Sequence, residues 1–334
     1  MSGLAAPREF TDASLPEIAT EPAGPCVVCG GERFHDFARG YDYELRTCRN
    51  SWNFRACNEC GHVQLDPRPA VGALDVIYPA HYYSYNMQTA VSPLALKGKE
   101  WLDRMKFTGI LRALGRPPQS FLDVGCGDGH YLRFLEKTYG ISKDRLYGLE
   151  LSEPAVKRLR QDGYQVHCKR VEDCTDVPNG GIDLATMFHV IEHVANPAAI
   201  VQKIQGWLAP GGLLTVETPN IDSLDARIFR KNYWGGYHIP RHWHLFSAQS
   251  LRRLMEASGF EVVAVHFQTG HSFWMYSFHH LLRYRLGWNV LSRMFDPLKA
   301  LPLLIAFTGF DKARALFGFR TSAILVMCRK RAAD

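Results

Sequence analysis

The chain has 334 residues, 46% of them hydrophobic and 22% charged, which excludes a largely disordered protein and supplies enough apolar side chains for one large core with a small appended module. Its 39 basic and 33 acidic residues leave a formal charge of +6, an excess that suits an anionic partner such as a nucleotide-linked sugar, a membrane surface or RNA without selecting among them. No N-terminal segment pairs a basic stretch with an apolar one as a secretion signal does, and no apolar run reaches the roughly 18 residues of a spanning helix, so a cytoplasmic location is expected and the nine cysteines read as thiols or metal ligands in preference to disulfides.

Residues 1–24 are rich in Ala, Pro, Glu and Ser with little periodicity and are expected to form a mobile tail. A small zinc-ribbon-like module is expected over 25–92. Its marks are Cys26-Val-Val-Cys29-Gly30 and Cys57-Asn-Glu-Cys60-Gly61, two Cys-x-x-Cys knuckles separated by alternating polar and aromatic residues. Four thiolates at this spacing satisfy a tetrahedral zinc ion, and so short a segment would depend on the metal for much of its stability. Cys48 lies between the knuckles as a competing thiol, and two metal-free thiol turns are the alternative. In the aromatic run from Tyr78 to Tyr85, the side chains of Tyr82, Tyr83 and Tyr85 either line an acceptor pocket or simply pack, with Tyr83 the candidate for chemistry. A helical linker is expected over 93–117, where Leu96, Trp101, Leu102, Met105, Ile110, Leu111 and Leu114 give an amphipathic pattern.

Residues 118–334 read as an α/β domain. Strands are expected at 120–124, 145–150, 164–168, 182–187 and 212–218, helices at 129–138, 153–162 and 197–208, and then a helix near 248–258 and strands at 260–267 and 322–327. That alternation predicts a doubly wound, mostly parallel sheet with its ligand at the strands' carboxyl ends. Between the last two strands, residues 271–319 form a helical insertion, apolar and aromatic and studded with arginines. It is either a lid over the active site or an interfacial segment that touches a membrane.

The sharpest signal is Phe121-Leu-Asp-Val-Gly-Cys-Gly-Asp-Gly129, a strand, a tight turn and a helix start. Alternating glycines let the backbone lie against a ligand where a Cβ would intrude. Asp123 precedes the first glycine and Asp128 sits inside the turn, so a pyrophosphate would be repelled and a ligand with positive groups fits better. About twenty residues on, Arg145-Leu-Tyr-Gly-Leu-Glu150 ends in an acid able to accept both hydroxyls of a ribose. Together with Asp183-Leu-Ala-Thr-Met-Phe-His-Val-Ile-Glu-His193, Leu208-Ala-Pro-Gly-Gly-Leu-Leu-Thr-Val216 and Glu217-Thr-Pro-Asn220, these segments make the chain resemble the class I S-adenosylmethionine-dependent methyltransferases from about Ser120 to Phe267. The resemblance implies a Rossmann-like, seven-stranded sheet whose last strands pair as a hairpin, one antiparallel to the rest. It also implies S-adenosylmethionine as methyl donor, held by Asp123, Gly125, Gly127, Gly129, Glu150, Glu172, Phe188 and His189.

The stretch from Tyr233 to Ser247 also resembles part of a bacterial subgroup that carries an N-terminal zinc-ribbon-like module and includes sugar C-methyltransferases and methyltransferases of polysaccharide clusters. Aligning Phe246-Ser247 places His242 at the subgroup's proton-accepting histidine and Arg241 where the subgroup has Glu, a departure that favours O-methylation at least as much as C-methylation. His193 then falls near the acceptor. His189 and His193, four apart, share a helical face if their turn is helical. Arg241 is expected to lower the pKa of His242 and to hold an anionic part of the substrate. His238, His242 and His244 have no adjacent carboxylate to complete a metal site. The expected enzyme methylates a hydroxyl or carbon of a sugar or other small hydroxylated metabolite, free or nucleotide- or lipid-linked. An RNA methyltransferase with a zinc module and a non-catalytic cofactor-binding scaffold are the alternatives; the lack of an Asn/Asp-Pro-Pro-aromatic sequence after the fourth strand and of a dense Lys/Arg stripe weighs against RNA.

Overall fold

The computed structural model describes residues 7–79, 93–297 and 299–331, and the candidate Tyr83, with Tyr82 and Tyr85, lies outside them. The N-terminal part contains β1 (Thr20–Glu21), β2 (Phe34–Gly40), β3 (Trp52–Cys57), β4 (Val63–Leu65), β5 (Arg68–Pro69) and a short helix, α1 (Leu74–Ile77). β2, β3 and β4 are antiparallel, and Ala56 pairs with Val63, which makes the second cysteine knuckle the turn between β3 and β4. Residues 8–21, expected in a mobile tail, are instead seated on this module. Phe10 is buried and stacks on Tyr41 with ring centroids 4.8 Å apart, β1 pairs with β5, and Arg68 holds Glu21 at 3.0 Å. One aromatic anchor and one strand pair give burial that composition alone does not suggest.

Helix α2 (Pro93–Leu114) leads into a long α/β succession: β6 (Phe121–Val124), α3 (His130–Tyr139), β7 (Leu146–Leu149), α4 (Glu153–Gln161), β8 (Gln165–His167), β9 (Ile182–Phe188), α5 (Pro197–Trp207), β10 (Leu208–Pro219), α6 (Leu224–Phe229), β11 (His244–Leu245), α7 (Ala248–Ala257), β12 (Phe260–Gln268) and β13 (Ala323–Lys330). Seven strands form one sheet in the order β12-β13-β10-β9-β6-β7-β8. β6 to β10 run parallel, and β13 lies antiparallel between β10 and β12, the topology expected from the sequence. Helices α2, α3 and α4 cover one face through Phe107, Ile110, Leu132, Leu135, Val156 and Leu159, while α5 and α7 cover the other through Ile200, Ile204, Leu251 and Met255. Local chemistry sets the helix starts. Asn196 Oδ1 accepts the Ala199 amide at 3.1 Å ahead of α5, and Ser247 and Ser250 form a reciprocal capping box at α7. Helix α2 buries only part of its apolar stripe, since Trp101 and Met105 remain exposed.

The two parts of the chain share structure. β11 pairs antiparallel with β4, so the N-terminal sheet is completed, in the order β11-β4-β3-β2, by residues that follow β10. Cys26, Val28 and Cys57 belong to the same apolar cluster as Leu122, Ile200 and Phe246, and Trp52, Phe54 and Leu65 pack with Trp234, Tyr237 and Trp243. The cysteine knuckles are therefore built against the segment that carries His242. The insertion forms α8 (His271–His280), a π-helical turn (Leu281–Arg285), α9 (Asn289–Arg293) and α10 (Leu301–Leu316). Helix α8 lies on the turn at 235–237, where Ser277 Oγ accepts the Gly235 amide at 2.8 Å, and it brings Phe273 to 6.4 Å from the His189 ring. No helix among the described residues is long and apolar enough to cross a membrane.

Candidate active site

β6 and β9 are neighbours, and the chain leaves them in opposite directions, to β7 and to β10. Their carboxyl ends form the switch point at which open α/β sheets bind ligands. The turn after β6 is tight because Gly125, Gly127 and Gly129 all have positive φ, at +75°, +54° and +81°. A Cβ at Gly125 would come within 2.5 Å of Val190 and one at Gly129 within 2.3 Å of Leu159, so the turn is packed directly on the loop after β9 and on α4. Glu150 is held by three backbone amides: Oε2 accepts from Gly127 at 2.8 Å, and Oε1 from Leu151 and Ser152 at 2.7 and 2.9 Å. Asp123 is buried and accepts the Thr186 hydroxyl of β9 at 2.7 Å. Burial, followed by the negative charges of Asp123, Glu150 and Asp128, pushes the Cys126 thiol well above its ordinary range, which leaves it unsuited to nucleophilic chemistry. The same convergence of carboxylates suits a ligand with cationic and hydroxyl groups. Glu172 lies beyond β8, exposed, and pairs with Arg170 at 3.0 Å. The Phe188 ring meets Tyr131 at 5.3 Å and sits under the Lys106 ammonium at 4.7 Å.

Beyond β9 the turn is not the helix that would align His189 with His193. His189 has φ +54°, and a 3-10 turn spans only Ile191–His193. The positive φ turns His189 between two acids, with Nδ1 at 3.3 Å from Glu192 and Nε2 at 3.7 Å from Glu217. Burial opposes charge on this imidazole, but the two carboxylates outweigh it and push its pKa up to about 10. Burial likewise opposes charge on Glu217, and Lys106, at 2.5 Å, together with His189 brings it down to about 2. Glu192 is fully buried and also accepts the Thr218 hydroxyl at 3.0 Å.

His193 and His242 meet next to Glu192 with ring centroids 4.6 Å apart. His193 Nδ1 is 2.9 Å from the Arg241 carbonyl and 3.0 Å from the Tyr78 hydroxyl, and His242 Nδ1 is 2.8 Å from the Gly236 carbonyl. A carbonyl only accepts, so each Nδ1 carries the proton and each Nε2 presents a lone pair. The Nε2 atom of His242 is 3.9 Å from Glu192 Oε1. Burial is the main reason that His193 falls to about 4 and His242 falls well below its ordinary value, with neighbouring imidazoles adding to both.

Two expectations about this loop need correction. Arg241 is completely buried and donates to both oxygens of Asp42 at 3.0 and 2.9 Å and to the Ile77 carbonyl at 2.8 Å. Its charge is matched inside the protein, so it anchors the loop to the N-terminal module and is not placed to hold a substrate anion; the low pKa of His242 comes from burial, His193 and His238. His238, His242 and His244 also diverge. His238 pairs with Glu44 at 2.8 Å and His244 with His62 at 3.2 Å, whereas a carboxylate-containing set forms from Glu192, His193 and His242, whose donor atoms lie within 4.8 Å of one another. Sequence reasoning missed Glu192, Glu217 and Lys106 as parts of the site. Glu192 had a signal, since it is an acid set among apolar residues between two candidate histidines; Lys106, on a helix assigned to linkage, had none.

Cys26, Cys29, Cys57 and Cys60 converge to within 4.8 Å, with Cys26 to Cys60 and Cys29 to Cys57 at 3.5 Å. Tetrahedral zinc with bonds of about 2.3 Å sets sulfurs about 3.8 Å apart, so the four thiols fit such an ion. Cys48 is not among them; it is buried with Trp52 and Phe54, and burial pushes its thiol up to about 11.

The profile of a methyltransferase domain family matches residues 98–265, half of the chain. A ubiquinone biosynthesis O-methyltransferase from Idiomarina loihiensis is 28% identical over 156 residues, 43% of this chain and 62% of that protein. A probable S-adenosylmethionine-dependent methyltransferase from Mycolicibacterium smegmatis is 29% identical over 143 residues, 42% of this chain and 51% of that one. An uncharacterized 37.1 kDa protein in a transposon of Streptomyces fradiae is 36% identical over 113 residues, 33% of this chain and 32% of that one. The chain thus spans less than two thirds of the length of each of these curated relatives. A solved S-adenosylmethionine-dependent methyltransferase from Archaeoglobus fulgidus aligns with a TM-score of 0.45 at 18% identity, over 69% of this chain and 94% of that one, a likeness too faint to bear weight.

Proposed function

The chain belongs to this methyltransferase domain family, and on that premise we propose that it transfers the methyl group of S-adenosylmethionine to a hydroxyl of a small, sugar-like acceptor, nucleotide- or lipid-linked. The observation that carries the reading is the pair of imidazoles, His193 and His242, each with its proton tied to a backbone carbonyl and with the Nε2 of His242 3.9 Å from Glu192, on the segments that follow β9 and α6. Bound at that turn, the donor supplies a sulfonium methyl group. The protein's share is to hold the donor through Asp123, Gly125, Gly127, Gly129 and Glu150, with Glu172, Phe188 and His189 bordering it, to align the acceptor oxygen, and to take its proton. Alignment contributes on the order of 7–11 kcal/mol and proton acceptance about 10²- to 10⁴-fold. His242 is assigned as proton acceptor and His193 as its partner in orienting the hydroxyl. The name of the Idiomarina relative, an O-methyltransferase, supports oxygen as the methylated atom.

A polyhydroxylated acceptor is supported one imidazole further along. The His238 ring is 4.9 Å from that of His242, and beyond it Glu44 Oε1 and both nitrogens of His280 are buried without a hydrogen-bond partner among the described residues. Buried polar atoms are costly unless satisfied, and sugar hydroxyls both donate and accept. The insertion exposes Trp288, Val290, Met294, Leu316 and Phe317 beside the exposed Arg285 and Arg293, which supports an acceptor met at an anionic lipid surface. The test is product mass spectrometry with isotopically labelled donor, offering nucleotide sugars in solution, lipid-linked sugars in anionic vesicles, and RNA. Label on oxygen of either sugar class supports the reading, and retention on the vesicles supports the membrane contact; label on RNA alone overturns both.

For the N-terminal knuckles we expect one zinc per chain, by elemental analysis of freshly purified protein. Cys57→Ser is expected to release it and to loosen β11 as well, because β11 completes the module's sheet and Cys57 lies in the shared core. Protein that is folded yet contains neither zinc nor iron would refute the four-thiolate assignment.

A further inference from the structure

We propose that Glu192, His193 and His242 form a binding site for a divalent first-row transition-metal ion, distinct from the four-cysteine site, at which the acceptor oxygen is held and ionised. This rests on the methyl-transfer reading above and changes what accepts the proton. The first ground is donor chemistry. One nitrogen from each imidazole and one carboxylate oxygen lie within 4.8 Å of one another, with His242 Nε2 and Glu192 Oε1 at 3.9 Å. Metal bonds of about 2.0–2.2 Å bring such donors to about 3.0–3.5 Å apart, so small side-chain shifts suffice. The second ground is orientation. A metal-binding imidazole characteristically gives its other N–H to a carbonyl or carboxylate, which fixes its tautomer, and both rings do so here, His193 to Arg241 and His242 to Gly236. The Arg241 carbonyl is itself held in place, since the Arg241 side chain is clamped by Asp42.

Glu192 is wholly buried, its Oε2 accepts the Thr218 hydroxyl at 3.0 Å, and its Oε1 faces both His189 and His242, at 3.3 and 3.9 Å. Two nitrogens and one carboxylate favour manganese, iron, cobalt or zinc over magnesium or calcium, and three protein ligands leave positions open for an acceptor hydroxyl. With the oxygen on the ion, its O–H proton passes to water. The resulting alkoxide attacks the methyl carbon, the carbon–sulfur bond breaks, and its electron pair leaves on sulfur as a neutral thioether. No oxidant or reductant is involved.

The experiment is titration of zinc-replete full-length protein with Mn2+, followed by loss of the free-ion electron paramagnetic resonance signal, with S-adenosylhomocysteine binding measured in parallel by calorimetry. One Mn2+ per chain beyond the zinc is expected. His242→Ala and Glu192→Gln are expected to weaken uptake by more than about tenfold, while His238→Ala, which leaves all three donors, keeps it. No uptake at millimolar Mn2+ or Co2+ by protein with native circular dichroism overturns the cation site and leaves direct proton acceptance by His242 standing. Uptake that survives both donor variants places the ion elsewhere and overturns it too. Absent binding of S-adenosylhomocysteine, with Mn2+ uptake intact, counts against the methyl-transfer reading alone.

Discussion

Glu150→Ala is expected to weaken S-adenosylhomocysteine and S-adenosylmethionine binding by about 10²- to 10⁴-fold, measured by calorimetry. A carboxylate that accepts two ribose hydroxyls makes two charge-assisted hydrogen bonds of roughly 1.5–3 kcal/mol each, and about 1.4 kcal/mol is a factor of ten. The native contacts add to this. Glu150 is pinned by the amides of Gly127, Leu151 and Ser152, so its removal frees the glycine turn from the end of β7 as well as deleting an acceptor. Glu150→Gln keeps one carbonyl oxygen and should fall between the two. Asp123→Asn should also weaken binding, since the Thr186 hydroxyl already takes one oxygen of a buried carboxylate whose charge is expected to face the donor's ammonium. Unchanged affinity in both Glu150→Ala and Asp123→Asn would remove the glycine turn from the donor site.

Most of the sheet was legible because its signals are local. β6, β7 and β9 are short apolar runs, and β6 to β10 fall within a few residues of their expected positions, β10 beginning earlier. The last two strands were equally plain. What local pattern does not carry is pairing between segments far apart in sequence. The strand His244–Leu245 is two residues long, has no periodicity to detect, and becomes a strand only because β4 offers an open edge. Asp42 and Arg241 are nearly two hundred positions apart, and nothing near either reveals that they pair, so the sequence suggests an arginine that holds a substrate anion where the fold has a buried anchor. Separation along the chain likewise hides the alliance of Glu192 with His242. The histidines themselves are visible as candidates in the sequence, but which ring nitrogen a distant carbonyl claims is not, and a histidine's role depends on that.

That dependence sets the second large expectation, at His242. His242→Gln should lower turnover by about 10²- to 10⁴-fold while donor affinity stays within a few-fold of the parent. The separation of the two effects follows from position: His242 lies between α6 and β11, held at Gly236, whereas Asp123 and Glu150, the groups proposed to hold the donor, stand at the ends of β6 and β7. Glutamine preserves a donor that can still reach the Gly236 carbonyl and fills similar volume, so the buried loop is disturbed little, but it has no basic lone pair to take a proton and is a poor ligand for a cation. The rate loss is therefore expected whether Nε2 receives the acceptor proton itself or holds the ion that ionises the hydroxyl. His193→Gln should cost less in turnover and more in acceptor KM if its task is orientation, because an orienting contact is present before the methyl moves as well as during the transfer. Single-turnover rates on the methylated acceptor, with S-adenosylhomocysteine affinity measured on the same preparations, read both quantities. A His242→Gln variant that turns over within a few-fold of the parent makes His242 a structural residue and moves proton acceptance to His193.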